Sequence, residues 1–195
     1  MIETVILIAC AIGLSVAAGL NAYLPLLVVG LVARSTTLIP LNEPWDTLTN
    51  GWVLAALAVL LVIEMTADKI PVVDSLNDII QTVGRPLAGA ILFIAGAGVV
   101  GELHPALSFI AGLLIAGGVH AAKVAARPAV TLATGGTGNW LVSLIEDLLS
   151  LTTAVVAILA PLLVLLLITA GILLVLRWKF PSRKKLTPRT TETRR

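Results

Sequence analysis

Apolar residues in this chain come in long runs, and the interruptions of those runs carry most of the information. The first run covers about 5–33, and Gly19, Asn21 and Pro25 of "GLNAYLPLL" sit in its second half. Proline deletes a backbone hydrogen bond and clashes with the preceding turn, so the pattern predicts a kink or break near 20–25. A polar stretch rich in Pro, Asn and Asp fills 35–51, and further apolar runs predict spans at about 52–66, 86–101, 105–122 and 152–177, the last interrupted by Pro161. Crossing the hydrocarbon core takes about 20 apolar residues in a helix, so the predicted architecture is an all-α polytopic transmembrane bundle of about five spans. The alternating short segments of a transmembrane barrel are not seen.

Two segments are too short to cross. Residues 72–83 place Val72, Leu76, Ile79, Ile80 and Val83 on one helical face and Asp74, Asn77, Asp78 and Gln81 on the other. Residues 140–151 carry a narrower polar stripe of Ser143, Glu146, Asp147 and Ser150. Spacings of three and four align such stripes, and the length predicts amphipathic interfacial or re-entrant helices.

Composition strengthens the membrane reading. Only 12% of the residues are charged and the mean hydropathy is +1.04, whereas about a quarter of the residues in a soluble domain are charged. Eight of the 13 Lys and Arg residues fall in the last 19 positions, and residues 1–176 hold five basic and ten acidic groups. The chain therefore divides into a helical membrane domain at 1–178 and a basic, disordered tail at 179–195. Met1-Ile2-Glu3-Thr4 lacks the basic start of a signal peptide, so the first run is expected to stay as a membrane helix. The single Cys10 allows no intrachain disulfide or cysteine-cluster metal site. Neither a metal nor a cofactor is expected, nor a nucleic-acid partner. The expected partners are the bilayer, a small ion, solute or anionic lipid, and a second copy of the chain.

The positive-inside rule places the tail in the cytoplasm of a cell with an inner membrane, and Glu3 and Arg34 then fit an outer N-terminus and an inner first loop. Five spans satisfy that arrangement but put the connections holding Lys69, Arg85, Lys123 and Arg127 outside, against the rule. Either the span count is off by one or these cations pair with buried acids.

Weak internal similarity accompanies the pattern. "TADKIP" resembles "HAAKVAARP", setting Lys69 opposite Lys123, and "SLNDII" resembles "SLIEDLL", setting Asp78 opposite Asp147. A parallel duplication, with copies near 52–101 and 105–177, would follow.

Candidate chemistry gathers in two places. Glu64 and Asp68 share a helical face, and Asp74 and Asp78 repeat the spacing after Pro71. Oxygen-rich clusters of this kind suit hard cations or a proton path; ordinary loop acids and structural ion pairs are the competing readings. The stretch "ARPAVTLATGGTGN" holds Gly135, Gly136, Gly138 and Asn139 near Lys123 and Arg127. Backbone N–H groups there would cradle an anion, or its carbonyls a cation, against the plainer reading of a flexible connector capped by Asn139. His120 lies three residues before Lys123 and is a proton-shuttle candidate. Asn21 and Tyr23 are polar groups at the helix break. No hydrolase spacing appears, and an enzyme is not expected.

The segments "GLNAYLPLLVVGL", "EMTADKIPVVDSLND", "GRPLAGA" and "HAAKVAARPAVTLATGGTGN" resemble an uncharacterised family of bacterial multi-pass membrane proteins, domain of unknown function 4126, over about residues 5–175. Relatives often carry proline after the Gly-Asn of the glycine loop, where this chain has Trp140. The resemblance implies the membrane class and supplies no activity. The leading expectation is a small-solute or ion transporter or channel, linked to a cation or protons. Anionic head-group binding or translocation and a non-transporting membrane scaffold are the alternatives.

Overall fold

The computed structural model describes residues 1–67, 71–97 and 103–179, without the side chains of 71–76, 78, 97, 174–176, 178 and 179. Seven α-helices lie within those residues: α1 (Ile2–Leu20), α2 (Tyr23–Ser35), α3 (Gly51–Ala67), α4 (Pro71–Ala97), α5 (Pro105–Thr134), α6 (Asn139–Leu159) and α7 (Pro161–Lys179). A short 3-10 turn at Trp45–Thr49 precedes α3. Four stretches are long and apolar enough to cross a bilayer, namely Ile2–Leu20, Ile79–Gly96, Pro105–Thr134 and Asn139–Leu159, and three shorter apolar helices accompany them. The protein is a multi-pass helical membrane bundle.

The two amphipathic segments are not free-standing helices. Residues 72–83 form the first half of α4 and 140–151 the first half of α6, so each polar stripe leads straight into a span. Pro86 lies inside α4 and Pro128 inside α5. Each proline costs one helical hydrogen bond, yet unravelling backbone in lipid would strand several, so the helix continues through it. The loop expected at 126–139 shrinks accordingly to the turn at 135–138.

Pro25 does not break the first run either. It sits in the first turn of α2, where a missing N–H is tolerated. The break is at Asn21, which is extended (φ −142°, ψ 126°), and there the chain reverses. A Cβ added to Gly13 would lie 2.7 Å from that of Ala157, Ser150 bonds the Ala17 carbonyl, and Asn21 bonds Asp147, so α1 runs antiparallel to α6. An apolar hollow lined by Val28, Val32 and Thr36 on one side and Val155, Ile158 and Leu159 on the other shows α2 running parallel to α6. The legs α1 and α2 therefore form a V with Asn21 and Ala22 at its tip and α6 against both.

Close backbone contact holds the other pairs. Gly89 and Gly112 meet where α4 crosses α5, and a Cβ on Gly112 would overlap Phe93 Cβ at 2.6 Å. Gly96 packs on Ala11, with Ser15 bonding the Gly89 carbonyl, so α4 descends as α1 rises. Small residues allow such approaches, and dispersion between packed helices replaces the hydrophobic effect that lipid cannot supply. Leu14, Val29 and Leu92 fill the remaining core and are at most 1% exposed. Because each helix reverses the last, the α1–α2 tip, the ends of α3 and α5, the starts of α4 and α6, and the end of α7 all share one end of the bundle. Met1, the 36–50 connection and Pro105 share the other.

Candidate functional site

Polar side chains gather at the level of the tip. Asn21, Glu64, Gln81, Arg85, His120, Lys123, Ser143, Glu146 and Asp147 are each at most 9% exposed. Around them the outward faces are apolar and open: Ile79 is 69% exposed, Val83 62% and Leu148 63%. The polar groups thus lie inside a lipid-facing shell rather than in an aqueous loop, where charges are tolerated when paired or hydrated.

The first cluster joins α3, α4 and α5. Glu64 Oε1 accepts from Arg85 Nε at 3.3 Å and Nη2 at 3.0 Å. Arg85 is fully buried, and its Nη1 lies 3.0 Å from His120 Nδ1. A guanidinium only donates, so Nδ1 is the acceptor and the His120 ring is the neutral Nε2–H tautomer. That N–H points to Thr82 Oγ1 at 3.3 Å.

The second cluster surrounds the tip. Lys123 Nζ is 2.8 Å from Glu146 Oε2, with Arg127 Nη2 at 3.5 Å from the same oxygen. Lys123 also reaches the Leu20 carbonyl at 3.4 Å, at the C-terminus of α1. Asn21 Oδ1 accepts from the backbone of Tyr23 at 3.1 Å and Leu24 at 3.0 Å, which caps α2. Its Nδ2 donates to Asp147 Oδ1 at 2.9 Å. A cation therefore stands at the negative end of one helix and a carboxylate behind the positive end of the next, as the two dipoles favour.

Of the residues expected from sequence, these clusters unite Asn21, Glu64, Arg85, His120, Lys123, Arg127, Glu146 and Asp147. Tyr23 is half-buried and contributes its backbone N–H. Asp68 and Lys69 lie outside the described residues, and Asp74 and Asp78 are described only as backbone in α4. Glu64 faces Arg85, one of the cations weighed as its partner. The glycine turn stands apart: Lys123 is eleven positions before the end of α5, about 16 Å along its axis. There Gly135 (φ 61°) and Gly136 (φ 87°) take left-handed conformations that terminate α5. Asn139 is the first residue of α6 rather than its cap, and its side chain exchanges hydrogen bonds with Thr131 at 3.0 and 3.1 Å. Ser15 and Thr82 went unnoticed in the sequence, since a lone hydroxyl in an apolar run gives no periodic signal.

A family model described as Domain of unknown function (DUF4126) matches residues 8–180. The chain belongs to that family. No curated protein and no solved structure matches it significantly. For this DUF4126 chain the functional reading therefore has to come from the two clusters themselves.

Proposed function

We propose that this protein carries a small polar or ionic solute across the inner membrane, with the solute held at the α1–α2 tip. One observation supports the reading above the rest: a membrane-embedded helix break, with Lys123 against the carbonyl end of α1 and Asp147 behind the amide end of α2. Discontinuous helices are a recurrent way for transporters to present fixed partial charges to cargo at membrane depth. Buried ion pairs stabilise weakly at best, so a bundle needing only stability has little reason to bury the five charged side chains Glu64, Arg85, Lys123, Glu146 and Asp147.

Sidedness rests on two reversals. The turns at Asn21 and at Ala160 each add a pass to the five expected, and together they bring the end of α3, the start of α4, Arg85, Lys123, Arg127 and the end of α7 to one side of the bundle. With the tail in the cytoplasm, these cations join it there and obey the positive-inside rule, and the span count is the term that changes. Arg34 is then the cation on the outer side. The head-group reading is weakened because Arg85 and Arg127 both turn to carboxylates, at 3.0 and 3.5 Å. The scaffold reading draws on the Glu64–Arg85 pair, paired and at most 1% exposed.

Electrophysiology on solid-supported membranes, with the full chain in proteoliposomes, tests the proposal through concentration jumps of H⁺, Na⁺, K⁺, Mg²⁺ and Cl⁻. A current in the wild type that falls at least tenfold in Asp147→Asn and Glu146→Gln supports transport. Absence of current with every ion, or full current in both variants, rejects it in favour of the scaffold.

A further inference from the structure

The Glu64–Arg85–His120–Thr82 chain is separate from the tip and asks for its own explanation. Arg85 and His120 are 0% and 4% exposed, and their nitrogens meet at 3.0 Å. The contact exists only while His120 Nδ1 carries no proton. One turn below it, α4 and α5 are locked backbone to backbone: a side chain at Gly89 would overlap Ala116, and one at Gly112 would lie 2.8 Å from Ala90 Cα. Above that crossing the helices are joined largely by polar side chains, and their apolar residues turn outward, with Ile79, Ile80 and Leu132 each more than 65% exposed.

We propose that His120 is a proton-binding site whose occupation parts α4 from α5 above the Gly89–Gly112 crossing, making the proton the coupling ion for the solute site. The coupling clause rests on the transport reading; the opening does not. In the step, an aqueous hydronium gives its proton to Nδ1, an N–H bond forms as an O–H bond breaks, and water leaves. Arg85 keeps all its protons. Two donors and two like charges then face each other across 3.0 Å. Arg85 remains with Glu64, which already takes two of its N–H groups, while the imidazolium swings away with α5.

The charged and titratable groups around the ring can be named from each neighbouring helix. Among the described side chains they are Glu64 on α3, Arg85 on α4, and Lys123 on α5, which leads to Glu146 on α6. α1 brings no charge to this level, since its Glu3 is in the first turn at the far end. The parting would uncover Asn77 and Gln81, which line the buried side of α4. Among the described residues Gln81 Oε1 has no hydrogen-bond partner, so hydration there is favourable.

Spin-label distances test this in full-length protein in lipid nanodiscs, in a Cys10→Ser background. Nitroxides at Ile79→Cys and Leu132→Cys report the upper halves, and a pair at Ile91→Cys and Ile110→Cys reports the crossing. The upper distance should lengthen by about 2–5 Å, the scale of known helix shifts, as pH falls from about 8 to 5, the range in which histidine titrates. The lower distance should stay fixed. His120→Gln and His120→Asn, which cannot take the proton, should hold the upper distance at its alkaline value. An unchanged upper distance in the wild type overturns the proposal without any variant being needed, and so does an equal pH response in both variants. No flux is read, so a failure here and a failure of the transport assay are distinct results.

Discussion

Replacing Asn21 by alanine removes two supports at once, and their sizes can be worked out separately. The first is the cap: Oδ1 receives the N–H groups of Tyr23 and Leu24 at 3.1 and 3.0 Å, and losing such a cap costs about 1 kcal/mol. The second is the bond from Nδ2 to Asp147 at 2.9 Å. Hydrogen bonds between membrane helices average about 0.6 kcal/mol and reach about 1.7, and a carboxylate acceptor puts this one near the upper figure. Together the loss is about 2–3 kcal/mol, and at roughly 2–4 °C per kcal/mol for a chain of this size the melting midpoint should drop by about 5–10 °C. Asn21→Ser keeps an oxygen for the cap and loses only the donor, so it should show about half of that. Thermal unfolding followed by circular dichroism in detergent measures all three proteins, and a double-mutant cycle with Asp147→Ala isolates the second term. A drop under about 2 °C for Asn21→Ala would refute the reasoning, as would strict additivity with Asp147→Ala.

Other outcomes follow from the same contacts. Arg85→Leu strands the Glu64 carboxylate in a site where it is 1% exposed and should cost about 3–5 kcal/mol, whereas Glu64→Leu/Arg85→Leu should recover most of it; equal losses would show that the pair is not mutually dependent. Gly112→Ala should cost about 1–3 kcal/mol through overpacking, while Gly118→Ala, with none of the described residues within 4 Å of the new methyl, should be neutral; midpoints in the same unfolding assay decide. In the Cys10→Ser background, cysteine at Thr137 should react with a membrane-impermeant maleimide only from the cytoplasmic side and cysteine at Thr37 only from the outer side. Labelling of both from one side would contradict the V.

Much of the fold could be read from the sequence because lipid imposes long apolar runs, and the break near 20–25 was visible in them. Its cause and its consequence were not. Pro25 draws attention because proline breaks helices in general, but in a first turn it is harmless; Asn21 does the work through bonds to Tyr23, Leu24 and Asp147 that no local pattern contains. Reversal and kink look identical in one dimension, and the contacts with α6 decide between them. The span expected to begin at 86 and the connector expected at 126–139 were both misplaced, because α4 runs through Pro86 and α5 through Pro128 where lipid keeps the helices intact. The polar stripe of Ser143, Glu146, Asp147 and Ser150 was legible as a face, and all four are buried. Which cation each acid meets depends on the crossing of α4 and α5, and that is set by Gly89 and Gly112 far away in sequence.

The V also bears on how the protein is made. As it emerges from the ribosome, the stretch from 5 to 33 is one unbroken greasy segment, and the insertion machinery has only Asn21 and its neighbours to tell it to fold the segment double. If it inserts straight, every later helix enters the membrane upside down, and the cations of the cluster end up on the wrong side. The amide that caps α2 is therefore also the point on which the sidedness of five downstream helices turns, and its loss should appear in the cell as inverted or degraded chains before it appears as a lower melting point.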